Sequence, residues 1–319
     1  MGTPDFAVAS LQRLVEAGCD VVAVVTMPDK AIGRHHDTLQ PSPVKRYATE
    51  HDIPVLQPER LKDEAFLEQL RSYKADLQVV VAFRMLPEVV WAMPPEGTFN
   101  LHAALLPDYR GAAPINWAII CGETKTGVTT FFLDHDIDTG RIIHRVEEPI
   151  SPTDDAGTVH DRLMVIGADL VLQTVRDIEA GRAEAVDQAA FAPAATLHAA
   201  PKLFRENTEI RWSSHTPQTA YNFIRGLSPY PGAWTTLQTA DGRATQLKVY
   251  ASTVDISGSA TAIALTDIQL AGKRRMAAAD FVRGAHLEGA KLIETPSNEG
   301  EAQREWLINV KNNAIEVLL

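Results

Sequence analysis

The sequence predicts a two-domain α/β protein in which a doubly wound parallel sheet is followed by a small β-barrel. Short apolar runs alternate with helical patterns over roughly the first 150 residues, as in parallel sheets that carry helices on both faces. The C-terminal part instead alternates apolar and polar residues between turn signals, which is typical of antiparallel strands. A chain of 319 residues is also long for a single core.

Four apolar runs are candidate strands of the parallel sheet, because strands buried on both faces are apolar throughout. They cover residues 21–26, 55–56, 77–83 and 98–102. Helices are predicted to begin at Pro4, Pro43 and Pro114, since Pro favours the first turn of a helix.

The first helix lacks the strand that normally precedes a helix of a doubly wound sheet. Only Met1 and Gly2 stand before the predicted N-cap residue Thr3. We therefore expect the first strand to be missing from this chain. A missing inner strand would leave the backbone groups of both neighbouring strands unpaired, which is costly.

After the fourth run, the pattern predicts a β pair, a long helix, a linker rich in Ala and Pro, and a β-rich domain. The β pair covers 127–133 and 141–148, and the long helix covers 155–181. The β-rich domain has a helix at 216–226 and strands at 234–239, 246–252, 261–270, 291–294 and 314–318. The expected divisions are 1–181 for the first domain, 182–206 for the linker and 207–319 for the second domain.

Composition argues against several classes of protein. No stretch approaches the roughly 18 consecutive apolar residues of a membrane helix, and no signal-peptide pattern opens the chain. Cys19 and Cys121 have no metal-type spacing, so we expect neither a disulfide framework nor a cysteine-based metal site. No Gly-x-Gly-x-x-Gly follows a predicted strand, which argues against a dinucleotide-binding oxidoreductase. A cytoplasmic protein fits these observations best.

Three polar residues form the most informative pattern. Asn100 and His102 end the fourth apolar run, and Asp138 follows within the motif DIDTG. An amide can donate to a developing oxyanion, an imidazole can manage a proton, and a carboxylate can hold the imidazole in one orientation. A lone Asn-x-His at a strand end is usually part of a turn. The ordered set of three favours a site that moves an acyl group without a covalent enzyme intermediate.

Five motifs resemble those of the methionyl-tRNA formyltransferases, a family of folate-dependent enzymes. They are GTPDFA near the start, PSPVK at 41–45, NLHAALLPDYRGAAPINWAI at 100–119, DIDTG at 136–140 and NFIRGLSPYPGAW at 222–234. The resemblance implies a Rossmann-like catalytic domain and an OB-like C-terminal barrel. It also implies transfer of a formyl group from 10-formyltetrahydrofolate to the α-amino group of methionine on initiator tRNA, in translation initiation.

The roles that the resemblance implies for the three polar residues agree with this chemistry. Attack of the amine on the formyl carbon gives a tetrahedral species with a negative oxygen. Asn100 would donate to that oxygen. His102 would stabilise it as a cation or shuttle the amine proton, and Asp138 would orient His102 or relay the proton through water. The sequence leaves the roles of His102 and Asp138 open.

The resemblance also implies a folate site beside the loop that follows His102. The loop residues that would contact the pterin are Ala104, Leu105, Leu106 and Pro107. The family usually has Ser where this chain has Ala104, so main-chain contacts remain whereas a hydroxyl contact is lost. Phe83, followed by Arg84, replaces small residues common in the family. Phe83 is an equally good candidate for the core and for a wall of the pterin site.

The partner implied is initiator methionyl-tRNA, although the net charge is −11. The acidic excess lies before residue 211, since residues 211–319 carry 11 Lys and Arg against 10 Asp and Glu. Lys30 and Arg34 lie in a long loop that matches the family's acceptor-end loop. The adjacent pair His35 and His36 has no third ligand, so no metal is expected. The predicted phosphate contacts of the second domain are Lys248, Lys273, Arg274 and Arg275. We expect a monomer that does not bind membranes.

Two alternatives remain open. Another formyltransferase that uses 10-formyltetrahydrofolate could act on a small amine, such as a ribonucleotide amine or a nucleotide sugar. The first of these usually lacks a second barrel, and the second usually carries a further dehydrogenase domain. A catalytically dead RNA-binding protein is the other alternative. The intact Asn100, His102 and Asp138 argue against it, whereas the expected loss of the first strand favours it.

Overall fold

The computed structural model describes residues 1–32, 38–191, 197–254, 262–285, 287–295, 304–311 and 314–319. The chain divides into two compact units, each built from several segments. Unit 1 comprises Met1–Pro114, Lys125–Pro149 and His160–Ala200, and unit 2 comprises Ile115–Thr124, Ile150–Val159 and Pro201–Leu319. This division differs from the expected one, because most of the predicted linker belongs to unit 1.

The predicted strands of the first part are present, two of them shorter than predicted. The helices up to residue 200 are α1 (Asp5–Glu16), α2 (Pro43–Glu50), α3 (Glu64–Ser72), α4 (Glu88–Trp91), α5 (Pro114–Ile120) and α6 (Ala156–Glu179). The strands are β1 (Val24–Val25), β2 (Lys30–Ile32), β3 (Thr38–Gln40), β4 (Val55–Leu56), β5 (Gln78–Val81), β6 (Thr98–His102), β7 (Arg110–Gly111), β8 (Lys125–Phe132), β9 (Ile142–Pro149) and β10 (Ala199–Ala200).

The main sheet of unit 1 has the strand order β5-β6-β8-β9. β5 and β6 run parallel, whereas the other two pairs are antiparallel. Helix α6 lies on one face, where Thr130 and Thr174 share a hydrogen bond of 2.9 Å between their hydroxyls. Leu101 is in register with Thr130 and so faces α6. Because side chains alternate along a strand, Asn100 and His102 point to the opposite face.

Met1 and Gly2 occupy part of the position of the strand that we expected to be missing. The Gly2 N–H donates to Val25 O at 3.0 Å, and the Val81 N–H donates to Met1 O at 2.9 Å. The two residues thus pair with β1 on one side and β5 on the other. A Cβ at Gly2 would lie 2.5 Å from Ala7 Cβ, so this close approach requires glycine. The Met1 amino group donates to Val79 O, and burial lowers its pKa to about 5.

Unit 2 contains the antiparallel barrel, which confirms the predicted β-barrel. From residue 201 onward its helices are α7 (Pro217–Gly226) and α8 (Ala278–Gly284), and its strands are β11 (Ala233–Gln238), β12 (Ala244–Val254), β13 (Ala262–Leu270), β14 (Met276–Ala277), β15 (Lys291–Glu294), β16 (Arg304–Lys311) and β17 (Ala314–Leu318). The strand order is β12-β11-β15-β16-β17-β13-β14, and β12 also pairs with β13. This additional pairing closes six strands into a ring, with β14 attached to β13. The sequence pattern did not predict β14 or β16.

The interior of the barrel is apolar and closely packed. Trp212 is 1% exposed and is among the largest fully buried side chains of the described residues. Its indole N–H donates to Thr235 Oγ1 at 3.0 Å, so its polar atom is satisfied within the core. In the described part of the chain, no helix combines the length and the apolar character needed to cross a membrane.

Candidate active site

Asn100 and His102 lie at the carboxyl end of β6, on the face turned away from α6. They are about 6.6 Å apart along the strand, since each residue of a strand rises by about 3.3 Å. β6 lies between β5 and β8, and Asn100 is in register with Val80 and Phe131. Among the residues that the structure describes, none hydrogen-bonds the Asn100 carboxamide. Its N–H groups can therefore donate to a bound substrate.

His102 is buried, and each of its ring nitrogens faces a different acceptor. Nε2 lies 2.8 Å from the backbone oxygen of Tyr109. A carbonyl oxygen only accepts, so Nε2 carries a proton and donates it. Nδ1 lies 3.8 Å from Oδ2 of Asp138, which is too long for a direct hydrogen bond but within the distance of an ion pair or a bridging water. Nδ1 is thus the nitrogen that can gain or lose a proton.

Asp138 is held on the same side of the sheet by the backbone of β7. Its Oδ2 accepts a hydrogen bond of 2.9 Å from the Gly111 N–H. Gly111 has φ +125°, and a Cβ there would lie 2.4 Å from the backbone oxygen of Ala200. Only glycine fits this position without strain. The glycine of the YRG sequence therefore lets β7 lie close to the backbone of Ala200 while its N–H donates to the carboxylate.

The candidate folate loop follows His102 and is anchored to β8 by a single hydroxyl. Thr129 Oγ1 donates to Ala104 O at 2.6 Å and accepts from the Leu106 N–H at 3.1 Å. Ala104, Leu106 and Pro107 are buried, whereas Leu105 is half-buried. Leu105 is therefore the side chain of this stretch that can contact a ligand. The buried side chains of its neighbours support the loop.

We expect Thr129→Val to raise KM for the formyl donor that the resemblance implies by about tenfold. Valine keeps the shape of threonine but leaves the buried Ala104 carbonyl and Leu106 amide unpaired, and a loss of about 1.4 kcal/mol corresponds to a factor of ten. Steady-state kinetics with varied donor would measure this. Thr130→Val is the matched control, because Thr130 is buried on the α6 face of the same strand. An unchanged KM in Thr129→Val would contradict this role of the loop.

Phe83 is half-buried and packs against an apolar cluster of unit 1 that includes Val25 and Val80. The guanidinium of Arg84 lies 5.7 Å from its ring centroid. Arg84 donates to the backbone oxygens of Glu59 and Pro58. Phe83 therefore packs on the core with part of its surface, and a pterin contact of the remaining part stays a prediction.

The candidate tRNA residues fall into two groups. Lys30 is exposed at the start of β2, whereas Arg34, His35 and His36 lie outside the described residues. The other four candidates belong to one surface of unit 2, here called the basic cluster and defined as Lys248, Lys273, Arg274 and Arg275. Lys248 is in register with Gln269 across the β12–β13 pair, and Gln269 Nε2 donates to Lys273 O at 2.8 Å.

Several residues of the site carried no recognisable signal in the sequence. The carbonyl of Tyr109 and the amide of Gly111 are backbone groups, which residue types do not reveal. Thr129 fits any β-strand, since threonine is common in strands. Gln188 stands in an Ala-rich stretch without a motif, yet it is 3% exposed and donates to the Asp138 backbone.

Comparisons of the chain with known proteins give consistent matches to one family. A sequence model of the formyl transferase family matches residues 1–175, and one of the formyl transferase C-terminal domain matches residues 202–257. The methionyl-tRNA formyltransferase of Parabacteroides distasonis is 54% identical, over 89% of this chain and 94% of the relative. That of Phocaeicola vulgatus is 56% identical, over 92% of this chain and 97% of the relative.

Solved structures share the fold. WlaRD, a sugar 3N-formyltransferase crystallised with dTDP and 5-N-formyl-THF, superposes with a TM-score of 0.57 at 18% identity, over 86% of this chain and 97% of that chain. The N-formyltransferase of Helicobacter canadensis, in complex with folinic acid and dTDP-3-aminofucose, gives 0.57 at 19% identity, over 86% and 96%. At these identities the likeness shows the fold alone.

Proposed function

The chain belongs to the methionyl-tRNA formyltransferase family and is a formyl-group transferase, and we propose that it uses 10-formyltetrahydrofolate to formylate the methionine of initiator tRNA for translation initiation. The observation that carries this proposal is the arrangement at the end of β6. An available carboxamide and an imidazole share one face, and a carboxylate lies 3.8 Å from the imidazole. These groups suit direct attack of an amine on a formyl carbon.

The reaction needs an oxyanion donor and a path for one proton. The methionine amine attacks the formyl carbon, and the carbonyl oxygen becomes negative. The Asn100 N–H donates to this oxygen, which lowers the barrier because the bond is strongest when the charge is largest. The amine loses a proton, and the departing nitrogen of the folate gains one. His102 Nδ1 and the Asp138 carboxylate form the pair that carries this proton, directly or through one water.

In the candidate folate loop, the apolar side chain of Leu105 lies beside two backbone groups that have no hydrogen-bond partner among the described residues. A Cβ at Gly127 would lie 2.5 Å from Leu105 Cδ2, so the side chain of Leu105 packs directly on β8. The Leu105 N–H and the Leu106 carbonyl have no partner among the described residues. An apolar contact beside one donor and one acceptor suits a flat pterin that carries both kinds of group. These features support folate as the formyl carrier.

The basic cluster supports contact with the phosphates of tRNA. The Arg275 guanidinium lies 4.3 Å from the Tyr250 ring centroid, and its hydrogen bond to Asp267 raises its pKa. Lys273 and Arg274 are exposed and form no ion pair with any residue that the structure describes. Exposed cations without acidic partners are the groups that bind phosphate with the least competition. Lys30 and Arg34 stay predicted contacts of the acceptor end.

Replacing Lys273 and Arg274 by neutral residues is expected to lower the affinity for tRNA and to make that affinity depend less steeply on salt concentration. In Lys273→Gln/Arg274→Gln, loss of two phosphate contacts should reduce the slope of log K against log salt by about 1.4–1.8. Binding titrations at several salt concentrations would measure it. Arg71→Gln/Lys74→Gln removes the same charge from exposed positions in the last turn of α3 and just after it, and serves as the control. Equal slopes for the two double variants would remove the basic cluster from tRNA recognition.

The function itself is tested by incubating the protein with 10-formyltetrahydrofolate and methionyl-tRNA and detecting formyl-methionine. Parallel reactions contain a ribonucleotide amine or a nucleotide-linked amino sugar in place of the tRNA. Formylation of methionyl-tRNA supports the proposal. Formylation of a small amine without formylation of methionyl-tRNA would overturn it in favour of another formyltransferase. Binding of tRNA without any transfer would indicate a catalytically dead protein. We also propose that the protein is cytoplasmic and monomeric, and sedimentation would test the oligomeric state.

A further inference from the structure

We propose that Gln188 is a positioning residue that holds Asp138 in the orientation needed for formyl transfer, an inference that rests on the proposed function. Gln188 lies in a short 3-10 helix, Gln188–Ala190, inside the stretch expected to be a linker. It is 3% exposed, although glutamine is usually a surface residue. The burial of this amide in an Ala-rich segment therefore indicates that its side chain has a specific structural role.

The carboxamide of Gln188 uses all of its hydrogen-bonding capacity. Its Nε2 donates to Asp138 O and to Gly140 O, both at 2.8 Å. Its Oε1 accepts from Nε of Arg110 at 3.0 Å and from Nη2 of the same side chain. An amide has two N–H donors and two acceptor lone pairs, and here each has a partner. Such a saturated group holds one orientation.

Asp138 needs this support because its backbone conformation is unfavourable. Its φ of 56° lies in the left-handed region, which non-glycine residues rarely adopt. Such conformations persist when surrounding contacts enforce them, and they are common at functional sites. Residues 134–137, immediately before it, are exposed. Gln188 donates to the backbone oxygens of the residues before and after Thr139. These two hydrogen bonds stabilise the turn that orients the Asp138 carboxylate.

Gln188 and the carboxylate are tied to the same strand, β7. Arg110 donates to Gln188, while the next residue, Gly111, donates to Asp138 Oδ2. The backbone and the side chain of Asp138 are therefore fixed to adjacent residues of one strand. This arrangement sets the distance between the carboxylate and His102, although the Gln188 side chain bonds only Arg110 and the backbone oxygens of Asp138 and Gly140.

The segment that carries Gln188 is fastened to unit 1 at both ends. Val186 exchanges two backbone hydrogen bonds of 2.8 Å with Ile142 of β9. At the other end, β10 pairs in parallel with β7, and Tyr109 N donates to His198 O at 2.8 Å. The segment is thus part of unit 1 next to the candidate site. A substitution at Gln188, about 50 residues from the DIDTG motif in sequence, is therefore expected to alter the reaction.

The test compares Gln188→Met, which keeps the side-chain volume, with wild type in the methionyl-tRNA assay. We expect kcat to fall roughly 10–100-fold, as misplacement of a catalytic group by about 1 Å does, with KM for both substrates within about threefold. Gln78→Met is the matched control, because Gln78 is also buried but begins β5 at the other end of the sheet. A wild-type kcat in Gln188→Met would overturn the inference. Gln188→Glu, which keeps the Arg110 acceptor but loses both donors, carries the same expectation should Gln188→Met fail to fold.

A double-variant cycle separates positioning from a general structural effect. If Gln188 acts through Asp138, adding Gln188→Met to Asp138→Asn should change kcat by no more than about twofold, because coupled residues are not additive. If the kcat loss of the double variant equals the product of the losses of the two single variants, the inference is overturned, even if both single variants are slow. An inactive wild-type protein would instead refute the proposed function, so the two failures are distinguishable.

Discussion

Replacing Asn100 by alanine is expected to lower kcat by about 10²–10³-fold, which corresponds to a barrier increase of about 2.7–4 kcal/mol for the loss of one oxyanion donor. The carboxamide has no partner among the described residues, so its removal leaves no internal hydrogen bond unmade. The donor acts on charge that develops in the transition state, so KM and tRNA binding should stay close to wild type. Single-turnover rates at saturating substrates would measure the effect.

Asn100→Asp is the companion variant for this position. It keeps the size of the side chain but replaces the N–H donor by an acceptor, so it should lose at least as much activity as alanine. Thermal melting should show that both variants are folded. More than a tenth of wild-type turnover in either variant would mean that Asn100 does not stabilise the oxyanion.

Replacing His102 is expected to lower kcat by about 10²–10⁴-fold, the range that a positioned acid–base group supplies. Alanine also removes the hydrogen bond to the Tyr109 carbonyl, so a slow His102→Ala enzyme alone would not separate structure from chemistry. His102→Gln keeps an amide N–H that can donate to the same carbonyl but cannot carry a proton between groups. It should be as slow as His102→Ala.

The fold offers a matched control for this imidazole. His144 Nε2 lies 3.1 Å from Asp177 Oδ2 on the α6 face of the same sheet. His144→Gln therefore disrupts a His–Asp pair of similar chemistry away from the site, and its kcat should remain within about twofold of wild type. Substantial activity in His102→Gln, or an equal loss in His144→Gln, would contradict a proton-transfer role for His102.

Local patterns were sufficient for the elements that are long or well bounded. Thr216 and Pro217 predicted the start of α7, and the structure has Thr216 as N-cap with its hydroxyl accepting from the Thr219 N–H. The β-barrel was predicted from turn signals and alternation. By contrast, α3 was not predicted, although it begins at an Asp63 N-cap and Asp is a preferred capping residue.

Local sequence patterns did not predict the strands that form only by pairing with a segment distant in sequence. Residues 199–200 have no strand signal, yet they pair with β7 because the chain returns to the edge of the site. Met1 and Gly2 are too short to be read as a strand, yet they fill a position between β1 and β5. In both cases the partner strand supplies the hydrogen bonds, so the conformation depends on tertiary contacts.

The amino-acid sequence alone determined the main elements, the character of both domains and the choice of Asn100, His102 and Asp138 as candidates, because periodicity and side-chain chemistry are properties of the individual residues. Only the tertiary structure decided which nitrogen of His102 is available, how Asp138 is aimed and why Gln188 is buried. Those properties depend on backbone carbonyls and amides brought together from residues 102, 109–111, 138–140 and 188. Backbone groups are the same at every position, so their roles appear only once the chain is folded.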